Sequence, residues 1–279
     1  MLKAYYFFIV LVISMYIGCT SSNKKSRKAV LKVYVLDGGY FDFRNLGIFS
    51  LDSVYEGRRM TIDNPVFLIE HEKGRLIWDV GLPDSYADTP EEELDTTGIF
   101  NAYIREKLID QLKKMEITPD SIDYLSVSHT HFDHIGNGNY FKNSTWIVDE
   151  AEYDWAFGEK AYTKNYDSLR NSKRIFFSDS YDVFKDSTVV IYSMPGHTPG
   201  HDCLSIKLKD EYLLLSGDLY HFIEQREFKR VPTFNTDADM TLQSMEKFEK
   251  LANKLNARVI IQHERKHFQG LPKYPLYLE

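Results

Sequence analysis

The chain has 279 residues, of which 43% are hydrophobic and 14% aromatic, and its formal net charge at pH 7 is −7. This is ample apolar material for a packed interior. The negative charge argues against a nucleic-acid partner, because phosphate binding needs a basic face. The sequence has no internal repeat, low-complexity tract or hinge rich in Pro and Ser. We therefore predict that residues 31–279 form one folded domain.

The N-terminal segment has the pattern of a bacterial lipoprotein signal peptide. Lys3 supplies a short positive region, and an almost unbroken apolar run follows it. Tyr16-Ile17-Gly18-Cys19 resembles a lipoprotein cleavage box, in which Cys19 becomes the lipidated first residue. The apolar run is shorter than the roughly 20 residues that span a bilayer, which disfavours an uncleaved anchor helix. We predict residues 1–19 as the signal peptide and residues 20–30 as a polar tether.

Cysteine usage is consistent with a cell-envelope location. We expect the lipid on Cys19 to hold the protein at a membrane, with the outer membrane, facing the periplasm or the exterior, as the predicted site. Cys203 is the other cysteine of the chain, and it lies in an apolar run typical of a buried strand. Cys203 is therefore either a metal-binding thiolate or a small core residue, and we favour the core residue.

Apolar runs indicate strands at residues 31–36, 65–69 and 76–79. Helical spacing of apolar residues predicts helices over residues 101–115 and 236–255, the second with Thr236 as its N-terminal cap. His71 falls in a charged turn, so we expect its side chain to be solvated.

The most informative motif is His129-Thr130-His131-Phe132-Asp133-His134, which carries four metal-binding side chains in six residues. It follows the end of a predicted buried strand and precedes a Gly-rich turn. A strand that runs into such a loop can direct His129 and His131 at one point, with Asp133 and His134 facing a second point. Three imidazoles and one carboxylate suit zinc, or another borderline first-row metal, much better than calcium or magnesium.

Three later side chains complete a predicted metal site. His197, Asp218 and His263 each come directly after an apolar run that reads as a strand. Strands that end in such residues would gather them along one edge of a layered sheet core. Taken singly each position is weak evidence, but together they indicate a metal centre.

These residues resemble the metallo-β-lactamase superfamily and, within it, the N-acyl-homoserine lactonases. The turn at residues 195–201 and the Glu224-Gln225 pair after Gly217-Asp218 support the closer resemblance. It implies an α+β fold, the four-layer αβ/βα sandwich, for residues 31–279, with two adjacent metal ions that we predict to be zinc. It also implies how the ions are held: one by His129, His131 and His197, the other by Asp133, His134 and His263, with Asp218 bridging.

The resemblance implies hydrolysis of a lactone ring, with an N-acyl-homoserine lactone as the expected substrate and quorum quenching as the result. A glyoxalase II-like thioesterase, a β-lactamase or another ester hydrolase of this fold are the alternatives. A sulfur dioxygenase-like iron enzyme is the one-metal alternative. An aromatic-rich stretch between residues 40 and 55 would either cover an acyl chain or form a separate hydrophobic cluster.

Two residues are predicted to act in catalysis. Asp133 would carry the proton to the leaving oxygen. His221 stands three residues after Asp218, where lactonases of this kind have a Tyr that hydrogen-bonds the lactone. The resemblance further implies that Asp79 orients a metal-binding histidine; the alternative is an ordinary turn residue. We expect His201 to brace the turn at residues 195–200 or to support the metal-binding residues, and not to bind metal itself.

Overall fold

The computed structural model describes residue 1 and residues 31–89, 98–159 and 161–279. The predicted cleavage box that ends at Cys19 and the predicted tether at residues 20–30 lie outside the described residues. Across the described part of the chain, none of the helices combines the length and apolar character needed to cross a membrane.

In the part of the chain that the structure describes, two β-sheets form the centre of the fold. The first sheet has the strand order β4-β1-β2-β3-β5-β6-β7. The pairs β4–β1, β1–β2 and β2–β3 are antiparallel, and the pairs β3–β5, β5–β6 and β6–β7 are parallel. Its strands are β1 (Lys32–Phe43), β2 (Met60–His71), β3 (Gly74–Trp78), β4 (Phe100–Tyr103), β5 (Tyr124–Ser126), β6 (Thr145–Asp149) and β7 (Arg174–Phe177).

The second sheet has the order β12-β11-β10-β9-β8 and is antiparallel except for the pair β11 and β12. Its strands are β8 (Ser180–Asp182), β9 (Val189–Ser193), β10 (Asp202–Lys207), β11 (Tyr212–Leu215) and β12 (Arg258–Ile260). The α-helices of the described chain are α1 (Leu108–Lys114), α2 (Glu150–Ala156), α3 (Ile223–Phe228), α4 (Ala238–Leu255) and α5 (Arg265–Gly270).

Alternation along the strands divides the apolar side chains between two faces of each sheet. One face of each sheet packs in a shared core, which includes Val35 and Trp78 from the first sheet and Ile191 and Leu215 from the second. The opposite face of the first sheet packs against α1. The opposite face of the second sheet packs against α4, through Phe248 among others. The layers thus run helix, sheet, sheet, helix, and the predicted four-layer αβ/βα sandwich is confirmed.

The predicted helix over residues 101–115 is wrong in its first half. Phe100–Tyr103 is strand β4, which pairs with β1, and the helix covers only Leu108–Lys114. Its first turn is held by Asp84, whose carboxylate accepts hydrogen bonds from the backbone N–H groups of Leu108 at 2.7 Å and Ile109 at 3.1 Å. Because that carboxylate comes from a distant segment, no cap next to the helix marks where it begins.

Three smaller expectations also need correction. The predicted long C-terminal helix begins at Ala238, and Asp237 caps it, accepting from Met240 N at 2.8 Å. Thr236 is not the cap, because its hydroxyl donates to Gly196 O at 2.9 Å. His71 is not solvated: its ring stacks on Phe184 at 4.2 Å between centroids and its side chain is 6% exposed.

Candidate metal centre

The predicted metal-binding side chains lie at strand ends along one edge of the two sheets. The His129–His134 motif follows β5, His197 follows β9, Asp218 follows β11 and His263 follows β12. A glycine at position 217 is required for this arrangement, since its φ is +51° and a Cβ atom there would lie 2.5 Å from His201 Nε2.

His129, His131 and His197, here called the histidine cluster, direct one ring nitrogen each to a common point. His129 Nε2 lies 2.8 Å from His131 Nδ1, and His197 Nε2 lies 3.1 Å and 3.0 Å from those two atoms. Two nitrogens on a tetrahedral zinc are about 3.3 Å apart, given a Zn–N distance of about 2.0–2.1 Å. The spacing of the three nitrogens therefore fits a first-row metal ion.

In His197 and His129, Nδ1 takes part in a hydrogen bond, which leaves the lone pair of Nε2 free for a metal. His197 Nδ1 lies 2.9 Å from Asn235 Oδ1, an acceptor that fixes the proton on Nδ1. His129 Nδ1 lies 3.1 Å from the hydroxyl oxygen of Ser128, which in turn donates to Asp79. Outer hydrogen bonds of this kind hold the tautomer and the ring orientation that metal ligation needs.

Asp133, His134 and His263, here called the mixed cluster, form a second group beside the first. His134 Nε2 lies 3.3 Å from His263 Nε2, and Asp133 Oδ2 lies 3.5 Å and 3.6 Å from those two nitrogens. His263 Nδ1 donates to the backbone oxygen of Asp63 at 2.8 Å. These three side chains could also hold a metal ion.

Asp218 lies between the two clusters. Its Oδ1 is 3.2 Å from His134 Nε2 and 3.1 Å from His263 Nε2. Its Oδ2 faces the other way, 3.8 Å from His129 Nε2 and 3.6 Å from His197 Nε2. Asp218 Oδ1 is buried and finds no hydrogen-bond partner among the described residues, an arrangement that is costly unless a cation satisfies the oxygen. The donor set thus fits two metal ions joined by one carboxylate.

Burial and charge prepare these groups for a cation. Burial lowers the pKa of His129 and His197 well below the usual range and that of His131 to about 4, so the histidine cluster is neutral at pH 7. Burial acts to raise the pKa of Asp218, but the surrounding imidazoles, His263 first, hold it well below its usual range. A neutral imidazole and an ionised carboxylate are the forms that bind metal.

Asp79 orients His134, as predicted. Its Oδ2 lies 3.0 Å from His134 Nδ1 and 2.6 Å from the side-chain nitrogen of Gln262, and its Oδ1 accepts from Ser128 N at 2.6 Å. Asp79 holds this position with a φ of +57°, an uncommon conformation for a residue other than glycine. This network links the end of β3 to the ends of β5 and β12, two of the strand ends that carry the site.

His201 and Cys203 lie behind the centre. His201 Nδ1 lies 3.0 Å from Met194 O, and its Nε2 accepts from Asp218 N at 2.9 Å. Through these two contacts His201 supports the backbone around Asp218, which agrees with an expected role beside the metal-binding residues and not among them. Cys203 is fully buried in β10, its thiol donates to Ser216 O, and burial raises its pKa well above the usual range. Cys203 is a core residue, and the thiolate-ligand alternative is wrong.

Sequence reasoning missed Glu152, which ties the two loops of the histidine cluster together. This buried carboxylate accepts from Thr130 N at 2.6 Å and Thr130 Oγ1 at 2.7 Å on one side. On the other side it accepts from Thr198 Oγ1 at 2.6 Å and Gly200 N at 3.1 Å. No local pattern could have identified it, because its four donors come from two distant loops.

An apolar cavity of about 240 Å³ opens on the metal centre. The aromatic-rich stretch contributes Phe41, Phe43, Ile48 and Phe49 to its wall, while Leu51 of the same stretch is exposed. Ile62, Phe100, Phe132 and Phe234 complete the apolar wall, and His131, Asp133, Asp218, His221 and His263 form its polar end. Part of the predicted stretch therefore lies beside the site, although Phe41 and Phe43 belong to strand β1 and not to a loop.

The roles predicted for the individual site residues remain predictions, although the structure brings all of them to one place. His129, His131, His134, His197, Asp133, Asp218 and His263 all belong to groups that could hold a metal ion, and so does His221.

Comparison with known proteins agrees with this fold and site. Residues 63–263 match the model of the metallo-beta-lactamase superfamily. The chain is 31% identical over 240 residues to the N-acyl homoserine lactonase AttM of Azorhizobium caulinodans, a match that covers 80% of this chain and 90% of AttM. It is 25% identical over 261 residues to the N-acyl homoserine lactonase AiiA of Bacillus thuringiensis subsp. kurstaki, covering 89% of this chain and 99% of AiiA.

A solved structure of an N-acyl homoserine lactone hydrolase, with the product N-hexanoyl-L-homoserine at its catalytic metal centre, superposes with a TM-score of 0.78. It is 25% identical to this chain, and the match covers 89% of this chain and 99% of that one. The dizinc lactonase AidC, at 21% identity and a TM-score of 0.62, covers 85% of this chain and 90% of its own and shares the fold.

The fold and the site define a metal-dependent hydrolase. The chain belongs to the metallo-β-lactamase superfamily and, within it, to the family of the N-acyl homoserine lactonases.

Proposed function

We propose that this protein hydrolyses the ester bond of the lactone ring in N-acyl-homoserine lactones and thereby quenches quorum signals. The observation that carries the proposal is the apolar cavity that ends at two joined clusters of metal-binding side chains. An amphiphilic substrate with a neutral acyl chain and a reactive carbonyl matches such a site. The relatives that resemble this chain along most of its length are N-acyl homoserine lactonases.

Two zinc ions are the proposed cofactors, because five imidazoles and two carboxylates form the predicted donor set and nitrogen-rich sites favour zinc. The histidine cluster would hold one ion, the mixed cluster the other, and Asp218 would join them. When bound, such a pair supplies a water of lowered pKa and a charge that polarises the ester carbonyl.

The cavity wall would bind the acyl chain. Each methylene group that leaves water contributes about 0.8 kcal/mol, so a hexanoyl chain gains several kcal/mol from burial. Among the described residues that line the cavity, none is Lys or Arg. A site without cationic side chains suits a neutral acyl amide better than the charged glutathione of a glyoxalase II-like thioester.

Asp133 is the proposed proton carrier. It is 8% exposed and its side chain lies at the polar end of the cavity, next to the mixed cluster. A carboxylate in this position is the group that can hold a proton and return it to the ring oxygen when the ester bond breaks. Its second role as a metal ligand would keep it in place through the reaction.

A panel assay of the zinc-loaded protein tests this proposal. Its substrates are N-hexanoyl- and N-decanoyl-homoserine lactone, an aliphatic lactone, S-lactoylglutathione and a chromogenic cephalosporin. We expect the acyl-homoserine lactones to be turned over fastest, and His129→Ala and His263→Ala to abolish turnover. The matched control His71→Ala removes a histidine outside the centre and should retain activity. Faster turnover of the thioester or the cephalosporin than of every lactone would contradict the proposal.

We also propose that a lipid on Cys19 anchors the protein in the cell envelope, where a diffusible acyl signal arrives. The support for this proposal is the sequence pattern around Cys19. Labelling cells with a fatty-acid analogue should tag the wild type and the control Cys203→Ala, but not Cys19→Ala. Equal tagging of all three would rule out the anchor.

A further inference from the structure

The resemblance implies a Tyr where this chain has His221, and the surroundings of His221 assign it a different role. It follows Asp218 by three residues and is 3% exposed. Its ring lies parallel to that of His263, with 5.5 Å between centroids and 3° between planes. The rings of Phe49 and Phe234 pack edge-to-face with it, with 4.9 Å and 5.6 Å between centroids. The ring is therefore held in one orientation.

Gln225 determines where His221 carries its proton. The backbone N–H of His221 donates to Gln225 Oε1 at 2.7 Å, and Gln225 Nε2 donates to the backbone oxygen of Phe49 at 2.7 Å. A backbone N–H can only donate and a carbonyl oxygen can only accept, so these two contacts fix the orientation of the amide. His221 Nδ1 lies 3.0 Å from the same Oε1. Because Oε1 is an acceptor, Nδ1 carries the proton, and Nε2 of the neutral ring carries a lone pair.

That lone pair faces the metal centre. His221 Nε2 lies 3.1 Å from Asp218 Oδ2, the oxygen that faces the histidine cluster. A lone pair and a carboxylate oxygen at this distance repel each other unless a cation lies between them or the ring takes up a second proton. The ligand atoms of His197, Asp218 and His221 all lie within 4.8 Å of one another, close enough to share one ion.

We propose that His221 Nε2 is a further ligand of the metal centre, on the side of the histidine cluster, and that Gln225 holds the ring in the ligating tautomer. The resemblance implies a Tyr at this position that hydrogen-bonds the lactone, whereas Nε2 of His221 in this tautomer has no proton to donate. The proposal thus assigns metal ligation to His221 in place of the catalytic role that was predicted for it.

Nuclear magnetic resonance of the ¹¹³Cd-loaded protein with ¹⁵N-labelled histidines tests the bond directly, without substrate. We expect one-bond ¹¹³Cd–¹⁵N coupling at His221 Nε2 and a proton on His221 Nδ1. The His221 signals are identified by their absence in His221→Phe, or in His221→Asn if the first variant does not fold. The control His71→Phe should leave these signals in place. A His221 Nε2 that carries a proton, or that shows no coupling to cadmium, would overturn the proposal.

The role of Gln225 has a separate test in the zinc affinity, measured by competition with a chelator. Gln225→Leu removes the acceptor for Nδ1–H, and we expect zinc binding to weaken by about 10–100-fold, the usual effect of losing a group that orients a ligand. Gln225→Glu keeps an acceptor oxygen and should lose less affinity than Gln225→Leu. Equal zinc affinity in Gln225→Leu and wild type would refute the positioning role. Because neither test uses a substrate, their failure is distinct from failure of the proposed lactonase activity.

Discussion

Replacing Glu152 by Gln tests how the two loops of the histidine cluster are held. The change keeps the size of the side chain but turns one acceptor oxygen into an NH₂ donor. Whichever oxygen is replaced, one backbone N–H loses its acceptor, either that of Thr130 or that of Gly200. The threonine hydroxyl on the same side can rotate and accept from the new NH₂, so it keeps a partner.

The size of the effect follows from that single lost bond. A buried N–H without an acceptor costs about 1–3 kcal/mol. Burial raises the pKa of the Glu152 carboxyl group, which shows that the buried charge is itself costly. Glu152→Gln removes that charge, and this gain partly offsets the weaker hydrogen bonds that remain. We therefore expect the free energy of unfolding to fall by about 1–3 kcal/mol and the zinc affinity by about tenfold.

Urea unfolding of the metal-free protein and chelator competition for zinc measure the two effects. The matched control is Glu150→Gln, which makes the same change at an exposed position of the same helix and should alter neither quantity. If Glu152→Gln behaved like Glu150→Gln in both measurements, the four hydrogen bonds to Glu152 would not be what holds the loops together.

Three further outcomes are expected. Asp218→Ala should lower the zinc content found by elemental analysis from about two ions per chain to one or fewer. An unchanged zinc content would contradict a bridging role for Asp218. Burial acts to lower the pKa of His134 and His263, but the Asp218 carboxylate raises the pKa of both. Zinc must therefore displace protons from these rings, and we expect zinc affinity to increase from pH 6 to pH 8. A zinc affinity that does not change with pH would contradict this. Phe132→Ala should raise KM for N-decanoyl-homoserine lactone roughly fivefold, equivalent to about 1 kcal/mol of lost contact, with little change in kcat. Phe176→Ala, at an exposed position that does not line the cavity, is its control.

The sequence was most informative where a strand ends in a metal-binding side chain. His129, His197, Asp218 and His263 could be predicted to meet because the apolar run before each one marks a strand, and those strands end at one edge of the fold. The family resemblance added the layering of the sandwich. The resemblance also implied that Asp79, which directly follows strand β3, would orient a metal-binding histidine, and that histidine is His134.

Features that depend on distant partners could not be predicted in this way. The helix that begins at Leu108 is capped by Asp84, so residues next to the helix give no signal for its start. Thr236 and Asp237 are both good capping residues, and only the contact of Thr236 with Gly196 determines which of them caps the helix. The tautomer of His221 depends on Gln225 and on the carbonyl of Phe49, a residue far away in the sequence.

Titration of the metal-free protein with zinc, while the opening of N-hexanoyl-homoserine lactone is followed, tests the central claim most directly. Because two groups of metal-binding side chains share Asp218, we expect the rate of ring opening to increase up to two equivalents of zinc and then to reach a plateau. Full activity at one equivalent would contradict the dinuclear centre, and no ring opening at any zinc concentration would contradict the proposed lactonase activity.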